Sequence, residues 1–324
     1  MAARSIIAAA LLSSASAAPQ LCGLVGVENR SSALNYFAAI NADGTLGTKV
    51  LLPSEPMSGL LAGNASGGEF LYSPPLAKQA TDGLFSVNTE TKAVKKYLLK
   101  SPAGYAGAYT IASLSASEVA GDAVALLAED YKAWVAIAEL TPADGAPRVR
   151  RNLTSAQFDE FQPAFGSGLY DATTRTYWLF ASAGSVAGFF GVPLDGAATS
   201  FPNASLPDKF GILGATYCAG AGARSVVAVG IVTEPTTYGL MALNEKTLKW
   251  RNLHTWHGEE LYMSGLGEIV CDPAGTTAWA VLSNATGFHV VLGVDVATGA
   301  ETERVTMSSI DDFVSSIGFC PASF

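Results

Sequence analysis

The chain has 324 residues, a net charge of −9 and 49% hydrophobic residues. An acidic chain with no basic cluster argues against nucleic acid and anionic membranes as partners. No apolar run after the first dozen residues is long and uninterrupted enough for a helical membrane span.

Residues 1–17 read as an export signal. Arg4 gives the positive start, residues 6–12 (IIAAALL) the apolar stretch, and Ala15-Ser16-Ala17 a small-residue cleavage site. The mature chain is expected to begin at Ala18 and to be secreted. Asn-x-Ser/Thr sequons follow at Asn29, Asn64, Asn152, Asn203 and Asn284, none with Pro in the middle. With an export signal they point to a glycosylated, extracellular surface.

One unit then recurs about every 50 residues. Its copies are YFAAINADGTLGTKVLL (36–52), LFSVNTETKAVKKYLL (84–99), LMALNEKTLKWRNL (240–253) and VLGVDVATGAETERV (291–305). Each is an apolar strand, an Asn or Asp, a short turn and a second strand. Asn41, Asn88, Asn244 and Asp295 hold the equivalent place. A period in this range built from short strands reads as a β-propeller or another repeat array.

Extended backwards, the units predict four-stranded antiparallel blades over 58–99, 108–153, 167–204, 214–253 and 267–307. Asp171 precedes Trp178 as Asp272 precedes Trp279, both at a turn into an aromatic-bearing second strand. The strands run apolar on both faces, as blades sandwiched between neighbours require. The ends complete the ring. Residues 315–324 look like an inner strand with nothing after it, and 20–52 lack one. A composite blade of the two would close the ring and hide both edges. The expectation is an all-β, six-bladed propeller forming a single domain over 18–324.

On this period and strand pattern, residues 20–324 resemble six-bladed propellers of the broad TolB-like, NHL-like and quinoprotein-like kind. The resemblance implies the fold. No Gly-His…Trp-Asp pair and no Tyr-Val-Thr-Asn tetrad accompanies it, so it implies no activity.

Four cysteines in an exported chain suggest two disulfides, with three possible pairings. Closure by a composite blade selects Cys22–Cys320, at the seam. Cys218 and Cys271 hold equivalent inner-strand places in consecutive blades and are expected to pair.

The recurrent polar feature is an acid followed by an aromatic or leucine, expected in the loops that join blades: Asp159-Glu160-Phe161, Asp208-Lys209-Phe210, Glu259-Glu260-Leu261 and Asp311-Asp312-Phe313. Carboxylates gathered at one channel mouth could bind a basic partner or hold Ca²⁺. They could equally start solvated turns while the hydrophobe plugs between blades. His254 and His257 form His-x-x-His in an expected loop, a weak metal candidate because zinc helices need a different spacing and an intervening Glu. Asp171 and Asp272 read as turn acids, and His289 as core or rim.

No cofactor signature is visible and no Ser-His-Asp set can be ordered. The reading is a non-catalytic module that binds a protein or glycan partner or assembles with itself. The alternative is a hydrolase or lactonase, or a strictosidine-synthase-like enzyme, with a metal or acid in the channel. A quinoprotein-like dehydrogenase is a further alternative. Inner strands rich in Ala, Gly and Ser predict a narrow, featureless channel.

Overall fold

The computed structural model describes residues 19–29, 32–53, 60–63, 68–73, 83–105, 107–117, 119, 121–129, 135–153, 161–163, 168–183, 186–196, 203–207, 210–218, 225–233, 236–257, 261–263 and 269–324. Residues 1–17, where an export signal is expected, and Asn64, Asp159, Glu160, Asp208, Glu259 and Glu260 lie outside these residues.

Six antiparallel sheets form the ring. Blade 1 is composite: β1 (Gln20–Asn29), β2 (Ser32–Ile40) and β3 (Leu46–Leu51) are joined at the inner edge by β26 (Asp312–Cys320). Blade 2 holds β4 (Leu60–Gly63), β5 (Glu69–Ser73), β6 (Leu84–Asn88) and β7 (Val94–Tyr97). Blade 3 holds β8 (Tyr109–Ala116), β9 (Ala123–Glu129), β10 (Val135–Leu140) and β11 (Arg148–Asn152).

In blade 4 the inner edge is split into β12 (Phe161–Pro163) and β13 (Leu169–Asp171), both paired with β14 (Thr176–Ala183); β15 (Val186–Pro193) and β16 (Asn203–Ser205) follow. Blade 5 holds β17 (Phe210–Cys218), β18 (Ser225–Thr233), β19 (Thr236–Asn244) and β20 (Lys249–His257). Blade 6 repeats the split inner edge with β21 (Leu261–Met263) and β22 (Ile269–Cys271), then β23 (Thr277–Asn284), β24 (His289–Asp295) and β25 (Glu301–Thr306).

Strand alternation explains the ring. Along β9, Ala123, Ala125 and Leu127 pack toward blade 2, while Val124 and Leu126 pack toward blade 4. A period of two therefore buries every position when both faces are covered. Each pair of neighbouring blades shares one apolar cluster, and the cluster between blades 6 and 1 closes the circle with Trp279, Val281, Ile317 and Phe319.

The four anchor residues build their hairpins as expected, through their side chains. Asn88 Oδ1 accepts hydrogen bonds from the backbone of Glu90 and Thr91, and Asn244 Oδ1 from Lys246 and Thr247. Asp295 Oδ1 accepts from Ala297 and Thr298. Asn41 instead donates its amide to Thr45 Oγ1, in a turn where Asp43 caps Thr45. Such Asx turns satisfy the exposed amides of a tight reversal.

Two expectations need adjusting. Phe161, Phe210, Leu261 and Phe313 were expected in inter-blade loops, but they stand within inner-edge strands. The hydrophobe follows the acid because it is the first core residue of the next blade: Phe210 and Leu261 are buried in inter-blade clusters. The expected loop at 254–257 is the end of β20, because residues 254–257 continue its ladder with β19.

Candidate functional site: the central channel

The inner edges of all six blades surround one open channel of about 560 Å³. The wall comes from β4, β8, β13, β17, β22 and β26. Small residues contribute as expected, with Ala62, Gly63, Ala116 and Ala215 on the wall. Bulkier groups stand among them without closing the channel: Leu61, Leu114, Ile269, Ile317 and Phe319.

Among the described residues, no carboxylate, imidazole, amine or guanidinium lines this wall. Its side-chain polarity comes from the hydroxyls of Ser115 and Thr216 and from Cys271, while Tyr170 packs between blades 3 and 4 and the Tyr217 hydroxyl is buried. Ser115 is committed, since its Oγ donates to the Gly168 carbonyl and accepts from the Tyr170 amide. Cys271 is bonded to Cys218 across blades 5 and 6, with 5.4 Å between Cα atoms. Cys22 is bonded to Cys320 within the composite blade, at 5.9 Å.

Phe70, on the second strand β5, packs against the back of the channel's inner edge and is itself buried. It does so because its neighbours on the inner edge have no side chains. A Cβ at Gly63 would lie 2.0 Å from the Phe70 ring, and one at Gly318 2.9 Å from it. A glycine inside a strand commonly marks such a close approach. The periodicity hid this contact. The detectable signal was a glycine on each of two adjoining inner strands.

Of the acids expected at the mouth, Asp311 and Asp312 are described. Asp311 is exposed and Asp312 is buried. Burial raises the Asp312 carboxyl above the usual range, Lys49 opposes that rise, and Asp311 adds to it. His289 packs edge-on against Phe313 with 4.5 Å between ring centroids. Burial pushes its imidazole down to about 4, against a backbone hydrogen bond to Val314.

His254 does not face the channel. Its Nδ1 lies 3.0 Å from the Gly299 carbonyl of blade 6, and its ring packs on Trp256. Asp171 and Asp272 act as turn acids, with Asp171 bonded to Thr173 and Thr174 and Asp272 to Thr276 and Thr277. Among the described residues no three His, Cys, Asp or Glu side chains gather as a metal set. No described helix is long and apolar enough to cross a membrane.

No protein-family model matches the chain, and no curated protein sequence matches it. Solved structures do. A chain of the nidogen/laminin complex matches with a TM-score of 0.57 at 11% identity, over 93% of this chain and 98% of that one. TolB from Acinetobacter baumannii matches with a TM-score of 0.61 at 9% identity, over 92% of this chain but 65% of TolB. An oligogalacturonate lyase in complex with manganese matches with a TM-score of 0.55 at 11% identity, over 88% of this chain and 74% of the lyase. At such identities the likeness is one of fold. Propellers that bind and propellers that catalyse share it.

Proposed function

We propose that this protein is a secreted, glycosylated propeller that binds a protein or glycan partner, or another copy of itself, without transforming a substrate. The observation that carries this reading is the channel wall. Propeller chemistry in the channel needs an acid, a base or a set of metal ligands directed into it. The described wall offers hydroxyls and hydrocarbon.

The export half of the proposal rests on the leader-like residues 1–17, the two disulfides and the sequons. Asn152 ends an outer strand and is exposed, and among the sequons whose exposure is described it is the best placed for a glycan. The match to a chain of the nidogen/laminin complex fits a binding role, since that propeller was solved in a protein complex. The expected acidic mouth, with Asp159, Glu160, Asp208, Glu259, Glu260 and Asp311, is the proposed contact surface for a basic partner, with Asp312 buried behind it.

The test is expression of the full chain in secreting eukaryotic cells. The expected product is found in the medium, starts at Ala18 and loses mass on enzymatic removal of N-glycans. Light scattering reads self-association directly. Turnover of lactone, ester or uronate substrates in the presence of divalent metals, above that of a heat-inactivated control, would refute the non-catalytic reading.

A further inference from the structure

We propose that the central channel is a binding site for one uncharged small molecule that carries both hydrocarbon and a hydrogen-bond acceptor. This goes beyond partner binding at the mouth and needs neither export nor a macromolecular partner.

Size comes first. A volume of about 560 Å³ lies within the range of small-molecule sites, roughly 300–1,000 Å³. Charge comes second. The chain carries 28 acidic and 19 basic residues, yet none of them lines the described wall. An ionic ligand entering it would give up hydration without gaining a counter-charge. A neutral one would not.

The wall is also two-sided. Leu61 of blade 2 and Ile317 and Phe319 of blade 1 give one side hydrocarbon, with the buried Phe70 ring packed behind Gly63 and Gly318. Thr216 of blade 5 stands across the ring and brings a hydroxyl. A side-chain donor placed among the backbone and hydrocarbon of the inner-edge strands can orient a ligand. Thr216 is half-buried, and its hydroxyl makes no hydrogen bond among the described residues. It can donate to a ligand carbonyl or ether at no cost to an existing bond.

The test uses the uncharged dye Nile red, which carries a carbonyl acceptor, titrated into the full chain and read by its fluorescence. One saturable site per chain is expected. Ala116→Phe and Ala215→Phe, which fill the wall from blades 3 and 5, should each weaken binding at least tenfold. Thr216→Val keeps the shape and removes the donor, and should weaken binding about 3–10-fold, the fold-change equivalent of a typical net hydrogen bond. The anionic dye anilinonaphthalenesulfonate should bind more weakly than Nile red. Absence of saturable Nile red binding overturns the proposal, and so does wild-type affinity in the folded Phe variants. Should both Phe variants fail to fold, unchanged affinity in Thr216→Val overturns it alone.

Discussion

Arg151 and Arg251 stand in the same Arg-Asn-Leu segment of alternate blades, and each staples its outer strand to the next blade. Arg151 Nε donates to the Pro193 carbonyl of blade 4 at 2.7 Å. An Arg251 terminal nitrogen donates to the Val296 carbonyl of blade 6 at 2.9 Å. The following leucines, Leu153 and Leu253, are buried in the corresponding inter-blade clusters. Both arginines are partly solvated, which limits the gain. Arg151→Ala and Arg251→Ala should each destabilise by about 1 kcal/mol, read from the urea midpoint. Methionine at either position should keep the stem packing and lose only the bond.

The seam gives a larger effect. Cys22–Cys320 spans 298 residues, so its loss frees nearly the whole chain in the unfolded state. Cys22→Ser with Cys320→Ser should cost on the order of 5 kcal/mol on the chain-entropy model, against about 4 for the Cys218–Cys271 pair, which spans 53. Chemical denaturation of the two double variants ranks them. Equal loss would mean that the apolar packing between blades 6 and 1 holds the ring without its clasp.

His289 links stability to acidity. Its folded value of about 4 lies below the ordinary 6.5, so the unfolded chain takes up a proton first as pH falls. The contribution is complete above pH 6.5 and is lost between 6.5 and 4, amounting to roughly 2–3 kcal/mol. Asp312, raised by burial, works in the opposite sense at the lower end of that window. Thermal melts across pH 4–7 should show a shallower acid loss in His289→Gln than in the natural chain.

The hairpins differ in one position. Lys92, Leu248 and Arg175 close their turns with φ of 58°, 54° and 51°, where the blade 6 hairpin has Gly299 at 75°. Side chains are strained in that region, and glycine is not. Lys92→Gly should stabilise by several tenths of a kcal/mol, since glycine's added freedom when unfolded offsets part of the relief. Gly299→Ala should destabilise by more, because a Cβ there would lie 2.0 Å from the Leu253 carbonyl oxygen. Differential scanning calorimetry resolves both signs.

Trp178 and Trp279 lie directly across their ladders from Gly191 and Gly293. A Cβ at Gly191 would meet the Trp178 ring at 2.9 Å. Gly191→Val should therefore cost about 1–3 kcal/mol by overpacking. A near-ultraviolet circular dichroism spectrum checks whether the indole environment moves with it.

The sequence by itself determined the ring. Its 50-residue period, its Asx turns and its strands apolar on both faces demand sheets stacked between sheets, and the orphan strands at the two ends demand a composite blade. Those are local signals, carried by alternation and turn chemistry. What surrounds the channel was decided only by the tertiary structure. Phe70 sits on a second strand in sequence and packs directly behind the channel wall in space, because Gly63 and Gly318, 255 positions apart, leave it room. Thr216 and Ser115 look alike in the sequence, yet Ser115 is bonded to its neighbouring blade and Thr216 is not. The acid-then-aromatic motif read as a loop because turn and strand-start look alike over three residues. Inter-blade packing drew its hydrophobe into the strand. A channel is assembled from one strand of every blade, so its chemistry depends on contacts that no local pattern encodes.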